Sequence, residues 1–512
     1  MNHMKELFFL LVSIIFLFGC TSTTLNKPEL TPELLGSLTE DYTRSVSDTN
    51  PANWKKANTH DPSIIHAKDG YYYSYSTDAQ KGSLIVKGVH VRRSPDLVNW
   101  TFVGKALSEV PEEALSINGA DYVWAPQVIY LNERYYMYYC TSAFGKKLSY
   151  IGLAIADKPE GPFVPTGKIL SCIQSDPVNT IDPNVMYDND GNLWMVYGSF
   201  FGGIYIIKLD SKTGLRLEGD AGWGKKIAGG GHAALEGPCI IQNGDYYYLF
   251  LSMGDLNNDY SVRVARCPVT EGIDGTYRDY AGNDMNDAVG SSVRLMGNKI
   301  LGSFAFEGEF GIRSPGGQHV IQDEDGKFFL ASHTRTTFRE SYYFYLQIRQ
   351  LYFNEEDWPV LNPNEYAGET LYRKDGSLFV EKADIAGEWQ LIQTERSARK
   401  GTFKNFEKKR INGVYLADAQ ETISKTCILT KDGNVSSPYG DGTWSLEGSK
   451  ITITLTVCND ESLENETITY RGIVTPAHDM FVDKDVITIT TMGTNGEYLF
   501  GNKPVSAVVD VN

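Results

Sequence analysis

Three carboxylates stand at comparable places in a repeated sequence pattern, and together they could carry out acid–base chemistry. Asp61 and Asp182 each precede a proline that opens an apolar segment, and Glu236 precedes a Gly-Pro pair in the same setting. A single strand-end carboxylate more often caps a turn, whereas three at equivalent places favour catalysis. Carboxyls held close together raise each other's pKa, so one can stay protonated and act as a general acid. Hydrolysis of a glycosidic bond with inversion needs such an acid together with a carboxylate base that activates water.

The carboxylates belong to a pattern that occurs five times in the first three-quarters of the chain. Each copy has a polar head, an apolar strand, a polar turn and an aromatic-rich strand, and the copies begin at His60, Trp124, Ile181, Glu236 and Gly316. Units of this kind, about 40 to 65 residues long, are typical of four-stranded propeller blades. We therefore predict an all-β fold with a five-bladed β-propeller, and an all-β sandwich of repeated hairpins is the alternative. In a propeller the first strand of every blade lines the central channel, so the heads would converge there.

The composition supports a globular protein and speaks against a nucleic-acid partner. The chain has 512 residues, of which 42% are hydrophobic and 12% aromatic, and it contains 49 Gly. This length allows two to four domains, and the aromatic and glycine content favours short strands and tight turns. The 64 acidic residues outnumber the 47 basic ones, which gives a net charge of −17 that repels polyphosphates and leaves a neutral sugar unaffected. We expect no nucleic acid and a neutral or cationic ligand.

Several short motifs extend over about residues 55–370. They are His60-Asp61-Pro62-Ser63, Trp124-Ala125-Pro126, Ile181-Asp182-Pro183, Glu236-Gly237-Pro238 and Trp358-Pro359-Val360-Leu361. In combination they resemble glycoside hydrolase family 43 and, within it, the α-L-arabinanases. The resemblance implies a five-bladed propeller that hydrolyses arabinose- or xylose-containing glycans with inversion. It also implies that Asp61 is the general base, that Glu236 is the general acid, and that Asp182 tunes the pKa of the acid and orients it.

The same resemblance points to a metal at the channel centre. The segment Gly316-Gly317-Gln318-His319 resembles the arabinanase segment in which a histidine holds a metal, usually calcium, largely through waters. On chemistry alone, a single histidine is more often a core or substrate-contacting residue, since calcium prefers oxygen ligands. The chain departs from the common family pattern at Gln127, where many relatives have an acidic residue, and it lacks an Asn after His319.

Four further side chains are candidates for sugar contact: His60, Trp124, Phe200 and Phe201. Aromatic faces stack on sugar rings, and packing between blades is the alternative for Trp124. The tyrosine clusters at 71–75 and 246–248 follow the blade pattern instead, so we expect them to pack between blades.

The first twenty residues predict export. Lys5 is followed by an apolar stretch from Leu7 to Phe18, which is too short for a membrane span and fits a signal-peptide core. The ending at Cys20 resembles a bacterial lipobox, and a simple secretory signal is the alternative. We predict a lipoprotein signal peptide at 1–20, a tether at 21–54, and a lipid anchor on Cys20 as the single membrane attachment. The protein would then be anchored in the bacterial cell envelope, either in the periplasm or at the cell surface.

The remaining chain divides into two predicted domains. The propeller covers 55–375, and a C-terminal small β-barrel or sandwich covers 385–512, where short alternating strands replace the repeat. This second part resembles the lipocalin-like domain of larger arabinanases and lacks a comparable carboxylate set, so we expect it to brace the propeller or shape the cleft. Cys427 and Cys458 could pair there or remain buried thiols.

Two classes of function follow. The first is an inverting glycoside hydrolase that cleaves α-1,5-L-arabinan or arabino-oligosaccharides of plant pectin, with a family 43 xylosidase or arabinofuranosidase as its alternative. The second is a non-catalytic glycan-binding surface lipoprotein. The presence of all three carboxylates favours the enzyme, acting as a monomer on a neutral arabinose-containing glycan. Endo and exo action remain open at this point.

Overall fold

In the computed structural model, the chain folds mainly into β-strands. The structure describes residues 50–78, 87–107, 109–256, 259–336, 344–373, 375–394, 410–411, 414–415, 422–458 and 465–505. The predicted signal segment, Cys20 and most of the predicted tether lie outside these residues. No helix among the described residues is long and apolar enough to cross a membrane.

Five antiparallel sheets follow one another along residues 63–361, and we number them blades 1 to 5. Blades 1 and 2 consist of β1 (Ser63–His66), β2 (Tyr72–Ser76), β3 (His90–Ser94), β4 (Thr101–Lys105), β5 (Trp124–Leu131), β6 (Arg134–Ser142), β7 (Ser149–Ala156) and β8 (Val164–Cys172). Blades 3 and 4 consist of β9 (Asn184–Tyr187), β10 (Leu193–Tyr197), β11 (Ile204–Leu209), β12 (Lys225–Ala228), β13 (Leu235–Asn243), β14 (Tyr246–Met253), β15 (Ser261–Pro268) and β16 (Asn298–Leu301). Blade 5 consists of β17 (Phe304–Ala305), β18 (Ile312–Gln322), β19 (Phe328–Thr336), β20 (Tyr345–Phe353) and β21 (Pro359–Leu361).

Helical structure is sparse in the described part of the chain. Helix α1 (Glu112–Asn118) lies between β4 and β5. Short 3₁₀ segments cover Pro51–Asn53, Val269–Glu271, Met285–Asp287 and Gly290–Leu295.

The innermost strands form a closed ring around the central channel. Strand β1 contacts β5, β5 contacts β9, β9 contacts β13, β13 contacts β18, and β18 contacts β1. This arrangement confirms the predicted all-β fold with a five-bladed propeller, and it brings the five repeat heads to one end of the channel.

The aromatic-rich second strands supply much of the packing between blades. Tyr73 and Tyr75 in β2 are buried in the core between blades 1 and 2, and Tyr248 in β14 is buried in the core that joins blades 4 and 5. Each large aromatic ring removes on the order of 150–250 Å² from water, so these rings stabilise the ring of blades. Most of the clustered tyrosines therefore serve packing, as their spacing predicted, whereas Tyr71 is exposed.

An N-terminal segment at 54–59 clasps blade 5 to blade 1. The N–H of Leu346 donates to the carbonyl of Lys56 over 2.8 Å, and Ala57 forms a bridge with Tyr345. Lys56 Nζ lies 2.6 Å from Glu365 Oε1, and both side chains are buried. The seam between the first and last blades is thus closed by backbone pairing and a buried ion pair.

The C-terminal part forms a closed antiparallel barrel, which confirms the predicted second β domain. Helix α2 (Lys382–Ile385) precedes the first barrel strand. In closing order, the barrel strands are β22 (Gly387–Gln393), β26 (Lys425–Leu429), β27 (Asn434–Ser436), β28 (Asp441–Glu447), β29 (Lys450–Cys458), β30 (Asn465–Asp479), β31 (Lys484–Gly493) and β32 (Tyr498–Pro504). Outside the barrel are the short pair β23 (Arg410–Ile411) and β24 (Val414–Tyr415), and β25 (Thr422–Ile423). Cys427 is a free, buried thiol in this barrel.

The barrel packs against blade 5. Phe304 of β17 meets Phe500 of β32 with ring centroids 5.1 Å apart, and β25 pairs in parallel with β17. At the same interface, Asn364 Nδ2 donates to Asn502 Oδ1 over 2.7 Å. The barrel therefore packs on the blade that carries Gly316 and His319, and its expected supporting role stays a prediction.

Candidate active site

The repeat heads surround one open cavity at the end of the channel. The cavity has a volume of about 570 Å³, and every blade contributes to its lining. The described residues that line it include His60, Asp61, Thr77, Trp124, Gln127, Asp182, Glu236, Tyr260, Gly317 and His319. All three predicted carboxylates therefore lie in the same cavity.

Asp61 is held by two imidazoles and a hydroxyl. Its Oδ2 lies 2.6 Å from His60 Nδ1 and accepts a hydrogen bond from Thr77 Oγ1 over 2.8 Å. Its backbone N–H donates to His333 Nδ1 over 3.1 Å, and the same nitrogen lies 3.4 Å from Asp61 Oδ1. Burial alone raises the pKa of Asp61, but the charge of His60 and the contacts with both imidazoles outweigh burial and hold this pKa well below its usual range. Asp61 is therefore ionised and suited to take up a proton.

Glu236 lies in a setting with the opposite effect. Its Oε1 accepts a hydrogen bond from the Tyr260 hydroxyl over 2.7 Å, and its Oε2 accepts one from Ser199 Oγ over 2.8 Å. Burial raises the pKa of Glu236, and the negative charge of Asp61 raises it further, while the two hydroxyls oppose the shift. Glu236 thus keeps its proton to higher pH than an exposed glutamate.

Asp182 completes the carboxylate group. Its Oδ2 accepts a hydrogen bond from the backbone N–H of Gly237 over 3.2 Å. Burial raises the pKa of Asp182 well above its usual range, and the charges of Glu236 and Asp61 add to the effect. The cavity therefore holds one carboxylate whose pKa is lowered and two whose pKa is raised, which is the division that separates a base from an acid.

Every blade head carries the same backbone kink. The residue two positions before the axis-facing side chain has a left-handed conformation in each blade, with φ values of 48° at Asp61, 36° at Ala125, 56° at Asp182, 58° at Gly237 and 55° at Gly317. Non-glycine residues rarely adopt this conformation, and such strain clusters at functional sites. Glu236 precedes the kink by one residue, so it aligns with His60 and not with Asp61.

A family comparison agrees with this geometry. The family described as glycosyl hydrolases family 43 matches residues 50–359, and a C-terminal lipocalin-like domain matches residues 363–501. The chain belongs to glycosyl hydrolases family 43. It is therefore a glycoside hydrolase, and its two matched regions correspond to the propeller and the barrel.

Individual members of family 43 resemble the enzyme over most of its length. It is 34% identical to the extracellular endo-α-(1→5)-L-arabinanase of Thermotoga petrophila over 499 residues, which cover 89% of this chain and 95% of that protein. The crystal structure of endo-1,5-α-L-arabinanase from Thermotoga petrophila superposes with a TM-score of 0.74 at 32% identity, covering 88% of this chain and 99% of that one. The α-L-arabinanase of Cellvibrio cellulosa in complex with arabinohexaose superposes with a TM-score of 0.52 at 26% identity, over 60% and 96% of the two chains.

Aromatic rings form one wall of the cavity in this family 43 enzyme. Trp124 stacks on Tyr122 with centroids 5.6 Å apart, and Phe144 meets Trp124 edge-on at 6.5 Å. The Phe144 side chain is 87% exposed, which is unusual for phenylalanine and leaves its face free for a ligand. His60 also lines the cavity, where its ring stacks on His333 at 4.1 Å.

Phe200 and Phe201 lie elsewhere. Their rings stand 5.6 and 4.8 Å from the ring of His232, and neither belongs to the described lining of the cavity. Their contact with sugar stays a prediction.

In four of the five blades, a side chain at the axis links the blade to the next one. Residues at the position two after the kink accept a hydrogen bond from a backbone N–H of the following blade. The pairs are Gln127 Oε1 with Val185, Asn184 Oδ1 with Ile240, Cys239 Sγ with Val320, and His319 Nδ1 with Ile64. In blade 1 the equivalent residue is Ser63, whose buried hydroxyl has no hydrogen-bond partner among the residues that the structure describes.

His319 and its neighbours could accommodate a cation in the channel. Burial lowers the pKa of His319 to about 4, so its ring is neutral, which is the form that binds metals. Its Nε2 lies 3.4 Å from Gln127 Nε2, and the Ser63 hydroxyl lines the same cavity. The residues present thus fit a cation that takes one imidazole from the protein and otherwise water. Ligation through Nε2 would place the ring proton on Nδ1, so it would compete with the hydrogen bond from Ile64.

The residues that the sequence did not single out share a position in the hairpins. Thr77, Ser199, Ser252 and His333 all lie at or near the end of an aromatic second strand, where the strand returns to the channel. Ser252 pairs directly with Glu236 across its hairpin, and His333 pairs with Gly316. A polar residue that ends an aromatic strand is the signal that could have identified them.

Proposed function

We propose that this enzyme hydrolyses α-1,5-linked L-arabinan or its oligosaccharides with inversion at the anomeric carbon. The observation that carries the proposal is the opposite pKa shift of Asp61 and Glu236 inside one cavity. The relatives that match most of the chain are endo-acting arabinanases by name, and a structural neighbour was crystallised with arabinohexaose. Both facts support an arabinose-containing glycan as the substrate.

The proposed roles follow from the setting of each carboxyl. Asp61 takes a proton from a water molecule, and the water oxygen forms a bond to the anomeric carbon. Glu236 gives its proton to the glycosidic oxygen as the bond to the leaving sugar breaks. Asp61 ends protonated and Glu236 ends ionised, and exchange with solvent restores both. Asp182 holds the backbone beside Glu236 through Gly237, and because the two carboxyls share one site, ionisation of one raises the pKa of the other.

We further propose endo action. The relative from Thermotoga petrophila is named an endo-enzyme, and the match to it extends through both the propeller and the barrel. The exposed ring of Phe144 next to Trp124 provides a surface on which a longer chain could lie beyond the cleavage point.

Product analysis tests this function. Purified enzyme is incubated with linear arabinan, branched arabinan and xylan, and the products are separated by chromatography while proton NMR follows the first anomer released. We expect arabino-oligosaccharides of several lengths and an inverted anomer. Xylose products would overturn the arabinan assignment, arabinose alone would overturn endo action, and glycan binding without products would indicate a binding protein.

Calcium at the channel axis is part of the proposal. His319 would hold it, with Ser63 nearby, and the ion would supply positive charge at the floor of a cavity that contains three carboxyls. The test is calcium addition to chelator-treated enzyme, monitored by thermal unfolding, with His319→Ala as the comparison. A rise in Tm for the wild type alone supports the site, because a ligand that binds the folded state stabilises it. Equal Tm values with and without calcium would overturn it.

Export and anchoring complete the proposal. The relative from Thermotoga petrophila is named extracellular, and residues 1–20 have the pattern of a lipoprotein signal. We propose that Cys20 carries the lipid and that the anchored enzyme acts as a monomer. Labelling with a radioactive fatty acid should mark the wild type and not Cys20→Ser. Label in both proteins would overturn the assignment of Cys20.

A further inference from the structure

Blade 5 differs from the other blades at its head. The two residues at the kink are His60–Asp61, Trp124–Ala125, Ile181–Asp182 and Glu236–Gly237 in blades 1 to 4. In blade 5 they are Gly316 and Gly317, so this head alone carries no side chain at either place. In blades 1 to 4 at least one residue of the pair has a side chain that lines the cavity, whereas neither residue of the blade 5 pair has a side chain.

Tyr260 fills the space at Gly316. A Cβ on Gly316 would lie far inside van der Waals contact with Cε1 and Cδ1 of the Tyr260 ring. Gly316 does not have a left-handed conformation, so glycine is needed at this position only because the Tyr260 ring leaves no room for a Cβ. Tyr260 is buried, and its hydroxyl donates to Glu236. The missing side chain at Gly316 thus lets Tyr260 reach the proposed acid.

Asp61 and His333 fill the space at Gly317. A Cβ there would lie 2.6 Å from His333 Nδ1 and even closer to Asp61 Oδ1. The φ of Gly317 is 55°, so glycine is also favoured by conformation. Its backbone N–H donates to Ser252 Oγ over 2.8 Å, which fixes the glycine in place. This second position touches the proposed base.

The groups on the two sides of the glycines are packed against each other. The Tyr260 ring is parallel to the His333 ring within 1°, with centroids 5.8 Å apart. His333 in turn stacks on His60 at 4.1 Å. A continuous stack of rings therefore runs from Tyr260, the partner of the acid, through His333 to His60, the two partners of the base. The glycine pair lies against this stack.

We propose that Gly316 and Gly317 are positioning residues with separate duties: Gly316 places the acid Glu236 through Tyr260, and Gly317 places the base Asp61 together with His333. The inference rests on the roles proposed above for the two carboxyls. It assigns a purpose to a pair of residues that bring no functional group of their own.

The test compares Gly316→Ala and Gly317→Ala by the dependence of kcat/KM on pH. Each added methyl must displace a packed group, and a shift on the order of 1 Å lowers kcat by about 100-fold. In Gly316→Ala, the hydrogen bond from Tyr260 that opposes the raised pKa of Glu236 weakens, so the alkaline limb moves to higher pH. In Gly317→Ala, Asp61 loses contacts that lower its pKa, so the acid limb moves to higher pH.

The other charged or titratable groups that face these carboxyls are Asp182, His60, Tyr260, His333 and Arg335.

Controls separate positioning from folding. Gly222→Ala is the matched control, because a Cβ at this exposed glycine would meet its nearest neighbour only at 3.6 Å, and we expect an unchanged profile. Tyr260→Phe keeps the ring and removes the hydroxyl, so it should reproduce the shift of the alkaline limb even if Gly316→Ala does not fold. His333→Asn should likewise reproduce the shift of the acid limb.

The outcomes are distinct. A shift of one limb in each variant, as assigned, supports the proposal. Loss of rate with both limbs unchanged, or the same limb moved by both glycine variants, overturns it, as does an unshifted limb in Tyr260→Phe. The profile can be measured on any glycoside that the wild type cleaves. If the proposed arabinan substrate is wrong, the wild type will not cleave it. The comparison of wild type and variants on another glycoside still tests the positioning roles.

Discussion

Asp182 accepts a hydrogen bond from the backbone N–H of Gly237, the residue directly after Glu236. Through this contact a carboxyl of blade 3 fixes the backbone that carries a carboxyl of blade 4. Both carboxyls are partly buried, and each stands in the electrostatic field of the others. Asp182 thus influences both the position of Glu236 and its affinity for a proton.

Asp182→Asn should weaken the acid without removing it. The amide can still accept from Gly237, but it cannot ionise, so the mutual opposition between the two carboxyls is lost and the pKa of Glu236 falls. We expect kcat/KM on arabinan to drop about 100-fold, within the range typical of general acid catalysis, and the alkaline limb to move to lower pH. An aryl arabinoside with a good leaving group needs less acid and should lose less activity. Equal losses on both substrates would contradict this role.

Glu236→Gln should separate binding from hydrolysis. The amide keeps the shape of the side chain but cannot give up a proton, so we expect a loss of at least about 100-fold in kcat. Binding of arabino-oligosaccharides, measured by calorimetry, should persist. Ser199→Ala removes only one hydrogen bond to the same carboxyl and is the milder comparison. Full activity in Glu236→Gln would exclude it as the acid.

The rate should follow a broad bell-shaped curve with pH. Asp61 must be ionised, and since its pKa is lowered, the acid limb lies below the usual range for aspartate. Glu236 must be protonated, and since its pKa is raised, the alkaline limb lies above the usual value for glutamate. The two limbs report the coupled carboxyls as a group. A rate that stays flat from low to high pH would contradict the mechanism.

The interface between propeller and barrel should weaken in alkali. Burial, and next the charge of Asp479, raise the pKa of Glu309 to about 8. The folded state therefore holds a proton that the unfolded state releases, and stability falls as pH rises from about 4.5 to about 8. Glu309→Gln should reduce this dependence to the part contributed by Asp479, whose pKa is also raised, with a gain of about 1 kcal/mol over the wild type at pH 9 after allowing for solvent screening. Urea unfolding at pH 6 and 9 measures it, and parallel curves for both proteins would contradict it.

Loss of the buried ion pair at the clasp should destabilise the propeller. Lys56→Met leaves Glu365 buried without its cation, a change that typically lowers stability by about 3–5 kcal/mol. The double variant Lys56→Met/Glu365→Met removes both charges and should recover most of the loss. Exposed Lys450→Met, which breaks a surface pair with Glu355, is the control. Similar Tm values for all of these proteins would show that the clasp does not limit unfolding.

The sequence predicted the carboxylates because each is an acidic residue within two positions of the proline at the head of a repeat. Asp61, Asp182 and Glu236 lie in innermost segments whose order around the axis follows from chain order alone. Tyr260 and His333 were not predicted, because they reach the site from a loop and a second strand. The place of Tyr260 depends on how a loop folds over the hairpins, which short motifs do not record, whereas His333 carried only the weak signal of a polar residue near the end of an aromatic strand.

The aromatic candidates show a similar division. Trp124 was predicted at a head and lines the cavity, whereas Phe200 and Phe201 turn toward His232. Phe144 was missed since it lies in a turn outside the repeat, and nothing in its local sequence sets it apart from a packing residue. Proximity to a repeat head is a useful criterion for predicting that an aromatic ring lines the cavity. The direction in which a loop side chain points can be read only from the structure.

The hooks at the axis use an amide, a thiol and an imidazole for one shared task. Gln127, Asn184, Cys239 and His319 differ in charge, size and reactivity, yet each offers an acceptor at the same reach. A duplicated hairpin could therefore change the functional group of this side chain and still accept the hydrogen bond from the backbone N–H of the neighbouring hairpin. At this axis-facing position of the propeller, evolution or protein engineering can exchange one functional group for another without losing the contacts between blades.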